Sequence, residues 1–396
     1  MNITKRTKKS ISPKQAKVNT TAKEIETIDN TGEILEDIKP SGRKEQWGKL
    51  KRKSRMMWGL LDLARRKDES IISAGALQRF YESGDVLLFK HNHTKGTKKL
   101  HQAFFSKHKL DPLSAHRKGL ILFAQTTKVV DLILARKPST RFIFLTLTTR
   151  NVKADDVMSA PEVINKELDR YYTGFRRIFG HSSEVISAAR DFNKQIEGTI
   201  KYVELSYNNE EDSYHVHAHI LLAVKPDYFL PQHYMTHEKL RELWAKAADL
   251  DYLPFVNVQT VKGYGNQLKG AIAEISKYPL KPASVLDLPK EKGAEVVGNI
   301  QLGLFNRRLI TFTGIFRQIR RELKLQDIET HSLIHVDEEG ISEDEKGDFI
   351  EFYVYRYSAS LGDYVCSPYS VVKALDEEYF RERHKEKILK EYGLTG

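Results

Sequence analysis

The sequence predicts an α+β fold, a mainly antiparallel sheet with helices packed on one face, from three observations. Between Phe142 and Tyr278, apolar patterns follow the order strand, helix, strand, strand, helix, strand, helix. The two middle strands are joined by a polar loop, Asn208 to Ser213, short enough to make them an antiparallel hairpin. The second of them, Tyr214 to Val224, alternates strictly before it ends in an apolar run, which is strand periodicity.

The elements follow in chain order. Residues 1–42 are rich in Thr, Ser, Lys and Glu with few large apolar residues, and are expected to be a disordered tail. Residues 43–137 form a basic N-terminal region. Arg43 to Lys67 carries ten Lys/Arg against two acids, mixed with Trp47, Met56, Met57 and Trp58. It reads as a helix with one basic side, for DNA backbone or a membrane surface, or as a helix packed by its aromatic side. Asp85 to Lys90 reads as a short strand, Lys95 to Leu100 as a turn into another, and Arg117 to Ala135 as a helix.

A second region, 138–325, holds the predicted sheet. Phe142 to Thr148 is a strand rich in aromatic and β-branched residues. Val163 to Phe179 is an amphipathic helix with Gly180 at its end. Thr199 to Tyr207 and Tyr214 to Val224 form the hairpin. Thr236 to Ala248 is a helix capped by Thr236, Phe255 to Val261 a strand, and Gln267 to Tyr278 a helix stopped by Pro279. Asn306 to Gly314 is a basic strand or loop, and Phe316 to Leu325 a basic helix. Residues 326–396 are expected to be an acidic linker, with eight acids between Asp337 and Glu351, followed by a charged helical extension from Val371 to Tyr392.

Composition narrows the class. The 396 residues carry a formal charge of +11, a balance that suits a polyanionic partner such as nucleic acid. A single cysteine, Cys366, excludes an internal disulfide or multi-cysteine zinc site and fits a reducing cytoplasm. No run is apolar enough to span a bilayer, and Met1 to Lys17 lacks the hydrophobic segment of a secretory signal.

The chemistry concentrates on the hairpin. His215, His217 and His219 share one strand face, about 7 Å apart in succession, and make a place for a metal ion or a phosphate. A solvated face that happens to carry histidines is the alternative. If Tyr207 pairs with Tyr214, Glu204 lies opposite His217 on the same face, and a slip of one residue removes it. The third ligand beside His217 and His219 is therefore either Glu204 or His215. Two neutral imidazoles and a carboxylate leave open positions suited to Mg²⁺ or Mn²⁺, although histidine also favours transition metals. Tyr278 is a possible nucleophile at a helix end, with Lys277 and Lys281 beside it and Glu274 one turn before. Position alone does not single it out among eighteen tyrosines.

Four segments together make the selection. The chain resembles the replication initiator (Rep) proteins of bacterial rolling-circle plasmids, within the HUH endonuclease superfamily. Phe144-Leu-Thr-Leu-Thr-Thr-Arg-Asn-Val152 resembles that family's first motif, and His217-Ala-His219-Ile-Leu-Leu-Ala-Val its metal motif. Glu274-Ile-Ser-Lys-Tyr278-Pro-Leu-Lys281 resembles its catalytic motif, and Arg308 to Phe316 a downstream segment. The similarity runs from about Trp47 to about Phe316. It implies an HUH-type sheet with the first motif as a central structural strand. It implies His217 and His219 as ligands of a divalent metal and Tyr278 as the nicking nucleophile. Lys281 would sit beside the scissile phosphate, and Glu274 would activate water for termination. The implied activity is strand-specific nicking and strand transfer at a plasmid double-strand origin through a 5′-phosphotyrosine, with origin and single-stranded DNA as partners and host helicase and polymerase following. An HUH transposase or relaxase, or a non-catalytic DNA-binding regulator, are the alternatives.

Three departures stand out. Where related initiators carry a cysteine cluster, Phe105 to Arg117 has Ser106, Asp111 and Ser114, so this part is expected to fold by packing alone. His215 is an addition, and Val216 stands where many members have proline.

Overall fold

Two antiparallel sheets organise the chain. The computed structural model describes residues 32–38, 42–261, 265–277, 283–327, 329 and 348–372. Tyr278 and Lys281 lie outside these residues, as do most of the expected tail, the acidic run from 337 to 347 and the chain beyond 372.

The helix α1 (Trp47–Lys67) runs first, then α2 (Ala74–Glu82), capped by the Ser73 side chain. Strands β1 (Val86–Asn92) and β2 (Thr97–Ala103) form a hairpin, and α3 (Pro112–Arg136) follows, starting at Pro112 behind the N-cap Asp111. Next come β3 (Arg141–Thr148), α4 (Ala160–Phe179), the short α5 (Arg190–Gln195), β4 (Ile196–Asn208) and β5 (Ser213–Val224). Then α6 (His237–Ala247), β6 (Val256–Val261) and α7 (Asn266–Ile275) complete the predicted alternation. The chain continues through α8 (Ala283–Leu286), α9 (Lys290–Gly303), β7 (Ile310–Phe312) and α10 (Gly314–Glu322) to β8 (Ile350–Ser358) and β9 (Asp363–Val372). The architecture is α+β, as expected. No helix among the described residues is long and apolar enough to cross a membrane.

The larger sheet has the order β6-β3-β5-β4-β7, with antiparallel neighbours throughout. It has five strands where four were expected, because the basic segment after Asn306 pairs with β4. Its helices cover both faces, not one. Ile143, Leu145, Val216, Ile220 and Leu222 face α1, α4, α6 and α9. Phe142, Phe144, Leu221 and Ala223 face α3, α7 and α10. The reason lies in β5 itself. Residues 220–224 are apolar without alternation, and a strand of that kind must be covered on both sides.

The smaller sheet, β2-β1-β8-β9, corrects the expectation for the C-terminal region. Residues 350–372 are two strands where linker was expected up to Val371, the rest of the helix expected from Val371 to Tyr392 lies outside the described residues, and β8 pairs along β1 from Val86↔Arg356 to Asn92↔Ile350. Residues 32–38, expected within the disordered tail, add to this unit. Ile34 bridges Val365, Leu35 is buried, and the Asp37 carboxylate accepts from Trp47 Nε1 at 2.8 Å.

The basic side of α1 turns out to serve packing. Lys51 is fully buried, donating to the Tyr81 and Ser83 carbonyls and pairing with Asp85 at 2.8 Å. Arg52 donates to Gly362 O, Arg55 to Asp85, and Arg65 to Ile72 O. These cations anchor the helix to both neighbouring elements instead of forming one free stripe.

The segment expected to hold by packing alone has a polar centre. Asp111 is fully buried, and its carboxylate accepts from Ser54 Oγ at 2.7 Å, Ser83 Oγ at 2.5 Å, Ser106 Oγ at 2.7 Å and Ser114 Oγ. It also caps α3 by accepting from Leu113 N at 3.1 Å. One carboxylate thus ties α1, the turn before β1 and the start of α3 together, and every lone pair direction it offers is used.

Candidate metal centre

The site grows from the β4–β5 hairpin. Asn208 Oδ1 accepts from Glu210 N at 3.0 Å, and Asp212 takes a positive φ of 47°, so the loop closes as a tight polar turn. Tyr207 then pairs with Tyr214, and the register continues through Glu204↔His217 and Tyr202↔His219. This is the register that puts Glu204 on the histidine face. On the other side β3 sets Thr148 opposite His217 and Thr146 opposite His219.

Glu204, His217 and His219 each bring a ligand atom within 4.8 Å of the others, the cluster of this type among the described residues. Glu204 Oε2 lies 3.2 Å from His217 Nε2 and 3.6 Å from His219 Nε2. All three side chains are buried, Glu204 to 3% exposure. His215 is not in the cluster. Its ring stacks on His217 at 5.1 Å, and its Nδ1 lies 2.8 Å from Asn151 Oδ1. Of the two alternatives for a third ligand, the geometry gathers Glu204 and turns His215 towards Asn151.

The donor set fits a cation. A carboxylate oxygen and two imidazole nitrogens facing one another at 3.2 and 3.6 Å are three acceptors, and they repel unless a proton or metal ion is shared between them. His219 Nδ1 lies 3.1 Å from Thr146 Oγ1. The neutral tautomer that keeps a lone pair on Nε2 carries its proton on Nδ1, where it donates to Thr146, the support typical of a ligating histidine. His217 Nδ1 is buried with no hydrogen-bond partner. Phe144 stacks on the His219 ring at 5.5 Å and 19°, which fixes its plane.

A cleft of about 590 Å³ opens from His219, walled by Phe144 and Thr146 on β3, Asn257 and Gln259 on β6, and Gln267 and Glu274 on α7. α7 lies over this face of the sheet through Leu268, Ala271, Ile272 and Ile275. It ends at Ile275, three residues short of the expected end. Glu274 therefore enters the same cleft as His219, and Lys277 Nζ pairs with its Oε2. The Tyr202 hydroxyl, one strand from His219, donates to Lys277 O at 2.6 Å. The structure thus brings together four of the site residues named from sequence: Glu204, His217, His219 and, along the cleft, Glu274. Asp249 pairs with Arg177, and His237 Nε2 lies 2.6 Å from the Val256 carbonyl oxygen.

Sequence reasoning missed Thr146, Asn151 and the amide wall of Asn257 and Gln259. Thr146 had a signal, a hydroxyl on the inward face of an otherwise apolar strand. Asn151 stood within the first motif, but nothing local pointed to its contact with His215, which crosses 64 positions.

Residues 97–365 match the family model Rep_1, described as "Replication protein". The chain is 32% identical over 317 residues to "Protein rep" of Streptococcus pneumoniae serotype 2, covering 80% of this chain and 91% of that protein. It is 32% identical over 327 residues to "Protein rep" of Bacillus amyloliquefaciens, covering 78% and 91%. It is 34% identical over 228 residues to a "Replication protein" of Staphylococcus aureus, covering 57% and 89%. No solved structure matches the chain significantly.

Proposed function

The chain belongs to the Rep_1 family of replication proteins, as a plasmid replication initiator, and on that premise we propose that it is a strand-specific DNA nickase and strand transferase that starts rolling-circle replication at a double-strand origin. The observation that carries the reading is the buried Glu204–His217–His219 cluster, opening into a cleft that also holds Glu274. A protein that only bound DNA would have no use for three acceptors buried against one another.

Residues 138–325 are the proposed catalytic domain, with 43–137 as an accessory DNA-binding region. Glu204, His217 and His219 would hold Mg²⁺ or Mn²⁺. A divalent cation there supplies Lewis-acid stabilisation of charge on the scissile phosphate. Tyr278 follows Lys277 directly in the chain, and its hydroxyl oxygen attacks phosphorus. The P–O3′ bond breaks, the 5′ phosphate stays on the tyrosine, and the proton that the tyrosine hydroxyl gives up to solvent is matched by one taken up at the leaving O3′, so a 3′-OH is left for a host polymerase behind a helicase. Lys281 would hold the scissile phosphate. After one round Glu274 takes the proton of the incoming water or hydroxyl, which lets a second cleavage close the reaction. The Lys277 ammonium pairs with the Glu274 carboxylate.

The test uses supercoiled plasmid carrying the replicon's own origin, with Mn²⁺, and the wild-type and Tyr278→Phe proteins. Nicked circles and a covalent protein–DNA adduct are expected from wild type alone. Equal nicking by Tyr278→Phe removes the tyrosine mechanism, and chelator-insensitive binding without any adduct would make the protein a DNA-binding regulator.

A further inference from the structure

Phe255, the residue before β6, is 67% exposed, and its ring stacks on no other ring among the described residues. A lone exposed phenylalanine is ordinary. Its place in the sheet is not. The β3–β6 register runs through Thr146↔Asn257 and Leu147↔Val256, and one step further it sets Phe255 opposite Thr148. Thr148 N donates to Phe255 O at 3.3 Å and Thr148 Oγ1 donates to the same oxygen at 2.8 Å, so the backbone of Phe255 is held twice. Thr148 stands opposite His217, and His217 opposite Glu204.

Directly paired residues share a face of a sheet, so Phe255, Thr148, His217 and Glu204 form one row that ends on two members of the metal cluster. Neighbouring strands are about 4.8 Å apart, which puts the Phe255 backbone about 10 Å from that of His217. Val256 has the opposite parity, and it is buried with Leu147 and Val216 on the other side of the sheet.

The surroundings of Phe255 suit a nucleic-acid strand. Asn257 and Gln259 follow on the same face at the two-residue period, and neither amide side chain bonds to a described residue. Just past the end of β3, the Arg150 guanidinium lies 3.9 Å over the Tyr252 ring and pairs with no carboxylate among the described residues. An open aromatic face, a cation without a counter-charge and amides with free donors and acceptors are what a single strand uses for its base, its phosphate and its base edges. The row itself selects the occupant, because a strand with a phosphate at the metal cluster has its neighbouring nucleotides over this face.

We propose that Phe255 is the stacking platform for one base of the DNA strand, with Arg150 holding a phosphate beside it. The proposal rests on the nickase reading for the identity of that strand. Phe255 is then a positioning residue. Held through its carbonyl by Thr148, it fixes the register of the strand relative to the metal cluster, so that the same phosphodiester is presented each time.

The experiment uses the full chain with Tyr278→Phe and Mn²⁺, so that binding is read without cleavage. The probe is a single-stranded oligonucleotide spanning the replicon's nick site, together with a set in which each nucleotide in turn is abasic. Phe255→Ala and Phe255→Leu should each weaken binding of the intact oligonucleotide by about 5–150-fold, and Phe255→Trp should retain it. At one position of the set the abasic oligonucleotide should bind Phe255→Ala and its parent equally, because the stacked base is missing from both. Melting temperatures should match the parent's, since the ring is exposed. Arg150→Gln should lower the slope of log K against log salt by about 0.7, and an unchanged slope overturns its phosphate contact. Binding of Phe255→Ala or Phe255→Leu within twofold of the parent, or a loss of the same size at every abasic position, overturns the stacking site. If Phe255 couples to one base while the wild-type chain makes no nick, the stacking site stands and the nickase reading falls. If the chain nicks and Phe255 couples to no base, the stacking site alone falls.

Discussion

Gly119→Ala is the sharpest probe of how the turn before Tyr278, the proposed nucleophile, is positioned. An ideal Cβ at Gly119 would stand 2.6 Å from Ser276 O, a main-chain atom. Relaxed carbon–oxygen contacts are about 3.3–3.6 Å, so a methyl there requires a displacement of about 0.7–1 Å. Stability should change little. Alanine improves helix propensity by about 1 kcal/mol, while overpacking costs about 1–3 kcal/mol, leaving a net loss of about 0–2 kcal/mol. Activity should change more. Misplacing a reacting group by about 1 Å costs about a hundredfold, so nicking should slow by about 10–100-fold. Single-turnover nicking of origin DNA and a urea melt measure the two effects on the same sample. A variant that nicks at the wild-type rate refutes the idea that α3 sets the position of the turn before Tyr278.

Three further outcomes follow from other parts of the molecule. Thr146→Val removes the hydroxyl at 3.1 Å from His219 Nδ1 and should weaken Mn²⁺ binding by about 10–100-fold, with Thr146→Ser retaining it; calorimetric titration within twofold of wild type would remove Thr146 from the site. Asp111→Ala strips the acceptor from four serine hydroxyls and should cost about 3–5 kcal/mol in urea unfolding, against a loss under 1 kcal/mol if side-chain packing alone holds that corner. Burial holds Lys201 down to about 8 from 10.5, its ammonium lying 5.3 Å over the Phe175 ring. The unfolded chain then binds more protons between those values, so stability rises with pH from about 8 to about 10.5 and the full penalty is present at pH 7. Lys201→Met should be more stable at pH 7 and should lose that share of the rise, so parallel wild-type and variant curves would contradict it.

Periodicity made part of this molecule legible. Glu204 could be placed opposite His217 because a two-residue period and a short loop leave few registers, and the pairing Tyr207↔Tyr214 is among them. The helix cap at Thr236 and the alternation of strands and helices through Ile275 were local signals of the same kind. What stayed hidden depended on distant partners. Ser54, Ser83, Ser106 and Ser114 are unremarkable singly, and only the fold brings them to Asp111. Residues 350–358 have strand character, but their partner β1 lies at 86–92 and nothing local names it. The two-sided cover of the main sheet was legible in the unalternating run at 220–224, but which helices supply the second layer depends on distant segments, α3 before the sheet and α10 after it.

The smaller sheet also sets a schedule for biosynthesis. Asn92 bonds to Asp348 across 256 positions, and Arg52 bonds to Gly362 across 310. At about 5–20 residues per second, the ribosome needs roughly 10–50 s after β1 emerges to deliver β8. During that interval β1 presents an unpaired edge, an open template for chance association with other chains. A truncated product ending before residue 350 would keep the histidine hairpin and yet never close this edge. Completion of the chain, and not merely of its catalytic motifs, thus decides when a new initiator molecule becomes a finished one.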